Sequence, residues 1–168
     1  MNQSIAIREV TAEDAPTAAT LFSEFNALVG ADGLPDSEAF LSENTDVVPA
    51  SMARRLEAIS EVEKAWLAEV DGKPAGLICL RLVPYIGQEV PFAEVTQLFV
   101  REAFKRQGVG ASLVAFAEHV AIRAGATCVH IITSDDNLDA QAFYRAQGYT
   151  MPGVEFVKHL SPRAADVN

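Results

Sequence analysis

A short basic segment followed by two glycines is the part of this sequence with the clearest chemical meaning. It follows the apolar run 98–100, occupies residues 101–107, and leads through Gly108 and Gly110 into a segment with helical spacing. Glycines let the backbone approach a ligand, successive amides can share one concavity, and a helix N-terminus attracts an anion. Three basic residues and one glutamate give residues 101–107 a charge of +2, against −10 for the whole chain. We therefore expect a phosphate-bearing ligand at this loop.

Dinucleotide-binding folds also use glycines in this spacing, and in such a fold Asp135 would bind a ribose. Three features argue against that interpretation. The position of the third glycine is Leu113, and seven residues separate the apolar run from Gly108, where a dinucleotide-binding turn is tight. The 58 residues that follow Gly110 are also too few for the remaining strands of that fold.

The periodicity of apolar residues predicts the elements around the loop. Residues 92–100 and 127–132 are predicted strands, the second one covered on both faces because its apolar run is continuous. A helix follows each strand, the first ending at Gly125 and the second opening at Asn137 and ending at Gly148. Such a unit pairs its strands in parallel, and ligands lie beyond the carboxyl ends of parallel strands. The glycine loop and the loop 135–137 should therefore face one crevice.

The remainder of the chain is predicted to add hairpin-connected strands and two helices, so that the sheet is mixed. Asp71-Gly72 is the strongest hairpin signal in the chain. The other predicted elements are a strand at 4–9, a helix starting at 11–14, a helical turn at 38–41, a helix at 51–60, strands at 64–70 and 74–83, a strand at 154–160, and a frayed tail at 161–168.

Composition bounds the class of protein. A chain of 168 residues with 49% hydrophobic content is expected to form one domain. It shows no membrane-length apolar run and no signal peptide, so we expect a cytoplasmic protein. Cys79 and Cys128 lie in apolar runs without metal-ligand spacing, and neither a metal site nor a disulfide is expected.

The first 60 residues hold ten acidic residues and three arginines, which makes nucleic acid an unsuitable partner. Such an acidic segment is either a solvated surface or a region that attracts a cationic amine substrate.

Three motifs follow one another in residues 92–149: the strand end 98–100, the loop Lys105-Arg106-Gln107-Gly108-Val109-Gly110, and Asn137-x-x-Ala140-x-x-Phe143-Tyr144-x-x-x-Gly148-Tyr149. Taken together, these motifs resemble the GNAT superfamily of acyl-CoA-dependent N-acyltransferases. Lys105 stands where the family usually has arginine or glutamine, which keeps a positive charge but loses the planar guanidinium.

The resemblance implies a mixed α/β domain over residues 1–160, with a twisted, mostly antiparallel sheet of about six to seven strands. Helices would cover both faces, and a central parallel strand pair would splay apart. It also implies acetyl-CoA as co-substrate, with its diphosphate on the glycine loop and its pantetheine arm along residues 98–100. The residues implied to contact coenzyme A are Leu98, Phe99, Val100, Lys105, Arg106, Gln107, Gly108, Val109, Gly110, Ala111, Asn137 and Tyr144.

Three residues are candidates for the chemistry that the resemblance implies. The Leu98 N–H would stabilise the oxyanion, or it is an ordinary sheet amide. Tyr144 would protonate the leaving thiolate, although spacing alone favours a core aromatic, and Asn137 is either only a helix cap or also a pantetheine contact. Glu94 would be the base, or simply a charged residue near a strand end; alternation places residues 92, 94, 96 and 98 on one face, with Glu94 about 13 Å from Leu98.

The acceptor is the least determined partner. A small-molecule amine and a peptide amine both fit, and Tyr85 either lines the acceptor side or packs on the sheet. A non-catalytic acyl-CoA-binding or sensing domain is the alternative function. No membrane or nucleic-acid partner is expected, and a homodimer is suggested only by family habit.

Overall fold

The computed structural model describes residues 4–31, 49–59, 61–87, 89–151 and 153. The predicted turn at 38–41, the predicted strand at 154–160 and the tail 161–168 lie outside these residues. Two short 3-10 turns, Ala12–Asp14 and Glu102–Phe104, precede the first and third helices. The described elements are β1 (Ile5–Glu9), α1 (Ala15–Ala31), α2 (Pro49–Ile59), β2 (Glu63–Val70), β3 (Lys73–Val83), β4 (Phe92–Val100), α3 (Val109–Arg123), β5 (Val129–Ile131) and α4 (Leu138–Ala146).

The strands form a mixed sheet in the order β1-β2-β3-β4-β5. The first four are antiparallel, and β4 pairs with β5 in parallel, as the strand-helix-strand pattern predicts. Asp71 and Gly72 form the tight turn between β2 and β3 with φ angles of 50° and 74°, which such hairpin turns require. Among the described strands, the parallel pair lies at the end of the order, whereas we expected it in the middle.

Helices cover both faces of this sheet. Against one face, α3 buries Val109, Leu113 and Val114 on strand residues such as Ile78 and Val95. Against the other, α1 contributes Leu21 to a cluster with strand residues Leu67, Leu77, Cys79 and Phe99. We call these two surfaces the α3 face and the α1 face.

The strand β5 differs from the prediction. It contains three residues instead of six, and only Val129 and Ile131 join the core of the α3 face. His130 is exposed, and its ring stacks on Phe92 with centroids 4.5 Å apart. Cys128, expected to be buried, is also exposed, while burial of Cys79 strongly raises the pKa of that thiol. The continuous apolar run therefore predicted a strand that is too long and covered on both faces, whereas β5 is short and packs on the core with one face.

Candidate active site

A bulge in β4 sets the geometry of the site. Gln97 lies opposite Cys79 and Val95 lies opposite Leu80, so that Thr96 is an extra residue without a partner on β3. After a bulge, side chains change the face that they would occupy in a regular strand. Leu98 accordingly packs with the α3 face and Phe99 with the α1 face. The expectation that residues 92, 94, 96 and 98 share one face is therefore wrong for Leu98.

The bulge also determines which backbone groups of β4 are available. Arg101 N–H donates to the carbonyl oxygen of Ala75 at 2.9 Å. Because backbone groups alternate in direction along a strand, residues 97, 99 and 101 point their N–H groups toward β3. The N–H groups of Leu98 and Val100 then point to the opposite side, where β5 lies. The described pairing with β5 covers only residues 93–95. Beyond Val95, no strand among the described residues pairs with this edge of β4, and we call the space beside it the gap.

The glycine loop continues directly from this edge. Its backbone hydrogen bonds stop at Lys105 N–H and resume at Ser112 N–H, which donates to Gly108. The six amides of residues 106–111 between them have no partner among the described residues. Arg106 and Gly108 adopt left-handed conformations, with φ angles of 58° and 84°, and Gly108 opens α3. Amides without a partner in this part of the chain, next to a helix N-terminus, are suited to binding an anion.

The charged side chains near the loop differ in their engagement. Arg101 is held by Glu24 of α1, at 2.9 Å from both guanidinium nitrogens that contact it, and by the carbonyl oxygen of Pro74. Lys105 pairs with Glu102 at 2.6 Å. Arg106 is exposed and has no ion pair in the described part of the chain. Arg106 is thus the cation of this segment most available to a ligand, while Arg101 is structural.

The third motif meets the first two at Phe143. A Cβ on Gly110 would lie 3.4 Å from the Phe143 ring and 3.7 Å from a methyl group of Val100. At Gly110 the first turn of α3 therefore lies within van der Waals range of both β4 and α4. The structure brings together the strand end, the glycine loop and Phe143, which are separated along the sequence.

Tyr144 lies beside Phe143 and Tyr149, with ring centroids 5.3 Å and 5.9 Å away. Burial raises the pKa of Tyr144 to about 12, so its phenol is protonated at neutral pH. It also lines a cavity of about 610 Å³ between α3, β5 and α4, whose described wall includes no residue of β4 or of the glycine loop.

The loop before α4 is organised by a residue that the sequence analysis did not identify. Asn137 caps α4 by accepting a hydrogen bond from Ala140 N–H at 3.0 Å, as its capping interpretation predicts. Gln141, buried in α4, donates from its amide to the carbonyl oxygens of Ser134 and Asp135 at 3.1 and 2.8 Å. Gln141 thus ties the end of the β5 loop to the helix that carries Tyr144. A glutamine within a helical pattern gives no sequence signal for such a contact.

Glu94 lies on β4 in an ion pair. Arg81, its cross-strand neighbour on β3, donates from Nε and from a terminal guanidinium nitrogen to one Glu94 oxygen, at 2.8 and 2.7 Å. Glu94 is largely buried, with 15% of its side chain exposed. Arg81 was also missed from the sequence, because strand register decides that these two residues face each other.

Two classes of site are not found in the described ranges. No group of three potential ligands among histidine, cysteine, aspartate and glutamate lies close enough to hold a metal ion. None of the helices in those ranges is both long and apolar enough to cross a membrane.

Comparisons with known proteins agree with the motifs. Residues 36–149 match the family model described as Acetyltransferase (GNAT) family. Aminoalkylphosphonate N-acetyltransferase of Salmonella typhimurium is 31% identical over 94 residues, which are 56% of this chain and 61% of that relative. The match thus spans about three fifths of the relative's length.

Solved structures show the same fold. A putative acetyltransferase from Arthrobacter sp. FB24 has a TM-score of 0.71 at 25% identity, with 92% of this chain and 96% of that chain covered. AAC(6')-Iy in complex with the bisubstrate analogue CoA-S-monomethyl-acetylneamine has a TM-score of 0.72 at 15% identity, with 94% and 99% covered.

Proposed function

This chain belongs to the GNAT family of acetyltransferases, and we propose that it transfers an acetyl group from acetyl-CoA to a primary amine by direct attack. The observation that carries the proposal is the row of six amides from Arg106 to Ala111, which have no partner among the described residues and continue from the edge of β4 that no described strand covers. Backbone donors at a helix N-terminus suit a diphosphate, and an open strand edge suits the two amides of a pantetheine arm.

The loop supplies several contacts to the diphosphate in this proposal. The amides of Arg106, Gln107, Gly108, Val109, Gly110 and Ala111 bind its oxygens, with the Arg106 side chain as the nearby free cation. Lys105 contributes positive charge, although Glu102 neutralises part of it. The side chain of Gln107 donates to the carbonyl oxygen of Ala103 at 2.7 Å and so shapes the loop rather than contacting ligand.

The strand edge receives the pantetheine arm. Leu98 and Val100 direct their backbone N–H groups into the gap beside β4 and can pair with the arm. Phe99 directs its backbone to β3 and its side chain into the α1 face, so its contribution is to hold the edge in place. The Leu98 N–H is the donor closest to the bulge, and we assign it to the oxyanion that forms on the acyl carbonyl.

Tyr144 is the proposed general acid. Its phenol is protonated at neutral pH because burial raises its pKa to about 12, and such a group can give a hydrogen bond or a proton to a leaving thiolate. Asn137 caps the same helix, and we propose that it also contacts the pantetheine arm. The role of Glu94 as the base stays a prediction. Arg81 already bonds one of its carboxylate oxygens, and its distance from Leu98 would require a bridging water.

The relative's name indicates an aminoalkylphosphonate acceptor for that protein. For this chain we propose a primary amine of small size, and its cytoplasmic location stays a prediction from the sequence.

Calorimetric titration with coenzyme A, followed by thiol release from acetyl-CoA in the presence of 2-aminoethylphosphonate, spermidine, kanamycin or peptides, tests the proposal. We expect binding in the micromolar range and thiol release that depends on the amine. Tyr144→Phe should lose turnover and retain coenzyme A binding. Binding without amine-dependent thiol release would favour a sensing domain instead, and no binding at millimolar coenzyme A would refute the site.

A further inference from the structure

A group of polar side chains on the α1 face surrounds the bulge, and Glu94 is the one member to which the reaction described so far gives a role. The group lies where β4 bulges, on three neighbouring strands. Because partner residues across a sheet share a face, the register places these side chains together. Its members are Glu63 on β2, Cys79 and Arg81 on β3, and Glu94, Thr96 and Gln97 on β4.

Glu63 reaches across β3 to the bulge. The Thr96 hydroxyl donates a hydrogen bond to Glu63 Oε1. The charge of Glu63 adds to burial in raising the pKa of the Cys79 thiol, and Cys79 lies directly opposite Gln97. The Glu63 carboxylate is therefore held next to the bulge rather than over its own strand.

The bulge places two successive side chains, Thr96 and Gln97, on the α1 face, and the first of them bonds this carboxylate. Gln97 Oε1 is buried and lacks a hydrogen-bond partner among the described residues. Buried carbonyl oxygens are nearly always satisfied, so this one is suited to a donor that a ligand brings. A carboxylate and an amide oxygen on the same face of the sheet at the bulge are acceptors that suit an ammonium group.

Position also favours Glu63 over Glu94. Thr96, to which Glu63 is bonded, is two residues from Leu98, or about 7 Å along the strand, whereas Glu94 is about 13 Å away. Arg81 occupies one Glu94 oxygen with two hydrogen-bond donors. The described contacts leave Oε2 of Glu63 free, because its one hydrogen bond is to Oε1.

We propose that Glu63 is the residue that accepts the proton of the acceptor ammonium, and that Gln97 Oε1 holds the same amine beside the bulge. The inference rests on the proposed function, and it identifies the acceptor as a cationic amine that arrives from the α1 face. The acyl carbonyl lies in the gap between β4 and β5, where the Leu98 N–H points. Amine and thioester therefore approach the bulge from different sides.

The proposed transfer breaks two N–H bonds and the C–S bond, and it forms the C–N and S–H bonds. An N–H proton of the ammonium passes to the Glu63 carboxylate, and the freed lone pair forms the C–N bond to the acyl carbon. The C–S bond breaks, its electron pair leaves with sulfur, and the thiolate takes a proton from Tyr144. The second proton lost by nitrogen restores the Tyr144 phenol, and Glu63 returns its proton to solvent, so the sum is amide, thiol and one released proton.

Glu63→Gln tests the proposal with propylamine as acceptor and thiol release as the assay. The amide keeps an oxygen for the Thr96 hydroxyl but cannot accept a proton, so kcat/KM should fall by about 100-fold or more. Coenzyme A affinity, measured by calorimetry, should stay within twofold and shows that the variant is folded. Formate added to Glu63→Ala should restore part of the lost turnover, because a small carboxylate can fill the vacated position.

Glu69→Gln is the matched control. Glu69 is a second carboxylate on β2, and it forms an ion pair with Arg8 at 3.1 Å. Its kcat/KM should stay within twofold of wild type. Full activity in Glu63→Gln, or a larger loss in Glu94→Gln than in Glu63→Gln, would overturn the assignment while leaving the proposed function intact. If the wild-type protein bound coenzyme A but released no thiol with any amine, the proposed function itself would fail.

Discussion

Replacing Gly108 with alanine tests the proposed diphosphate site at the amides of residues 106–111, which we call the amide cradle. The free-energy cost of this substitution can be worked from the backbone conformation. Gly108 has φ of 84°, and an added Cβ would meet no atom within 4 Å. The cost of Gly108→Ala is therefore conformational and not steric, about 1–2 kcal/mol for a left-handed non-glycine residue. If the free loop relaxes to negative φ and the cradle must be rebuilt on binding, coenzyme A affinity falls about 5- to 30-fold.

Gly125→Ala is the matched control at the other end of the same helix. Gly125 has φ of 83° and equally open surroundings, but it ends α3 far from the loop. Gly125→Ala should lose about 1 kcal/mol of stability in urea denaturation because the fold keeps the strained conformation, whereas Gly108→Ala should lose less because its free loop relaxes. Only Gly108→Ala should weaken coenzyme A binding in calorimetry, and Gly108→Asn should weaken it less, since asparagine tolerates this conformation. Equal affinity losses at both glycines, or none at Gly108, would refute the reasoning.

Three further outcomes are expected. Arg106→Ala should weaken coenzyme A binding in calorimetry, and more at low than at high salt. Arg101→Ala should leave the affinity unchanged and lower the stability in urea denaturation by about 1 kcal/mol, because Arg101 is bonded within the fold. Because burial raises the pKa of Tyr144 to about 12, the unfolded phenol ionises first, and between pH 10 and 12 the wild-type protein should lose more stability than Tyr144→Phe in denaturation curves. Hydrogen bonds from Arg8 hold the pKa of Asp14 at about 2, so acidification from pH 4 toward 2 should destabilise the wild-type protein more than Asp14→Asn. An identical acid profile for both proteins would show that the pair contributes nothing.

Local signals predicted the framework of the site closely. The sequence places a strand at 92–100, and β4 occupies those residues. The hairpin at Asp71-Gly72 and the helix that begins after Gly108 are also confirmed, because glycine conformation and helical spacing depend on neighbours in the chain. The GNAT resemblance rested on the same short-range patterns and is confirmed by the family match over residues 36–149.

The differences between the predicted and the observed structure at the site come from strand register. Alternation predicted Leu98 on the face of Glu94, but the extra residue Thr96 moves Leu98 to the α3 face and turns its N–H to the open side. A bulge depends on how two strands fit against their helices, and no residue type marks it. The same holds for β5, whose apolar run is twice as long as the strand that forms.

The sequence by itself determined which family this chain belongs to and predicted where an anion can bind, because a glycine loop at a helix start is a local arrangement of backbone. Only the tertiary structure decided which charged residues pair with one another and which lie at the bulge. It engages Arg101 with Glu24 and Arg81 with Glu94, and it brings Glu63 to the bulge from a strand more than 30 residues earlier. These pairings depend on which strands are neighbours and in what register, which is set by packing the whole sheet between its helices.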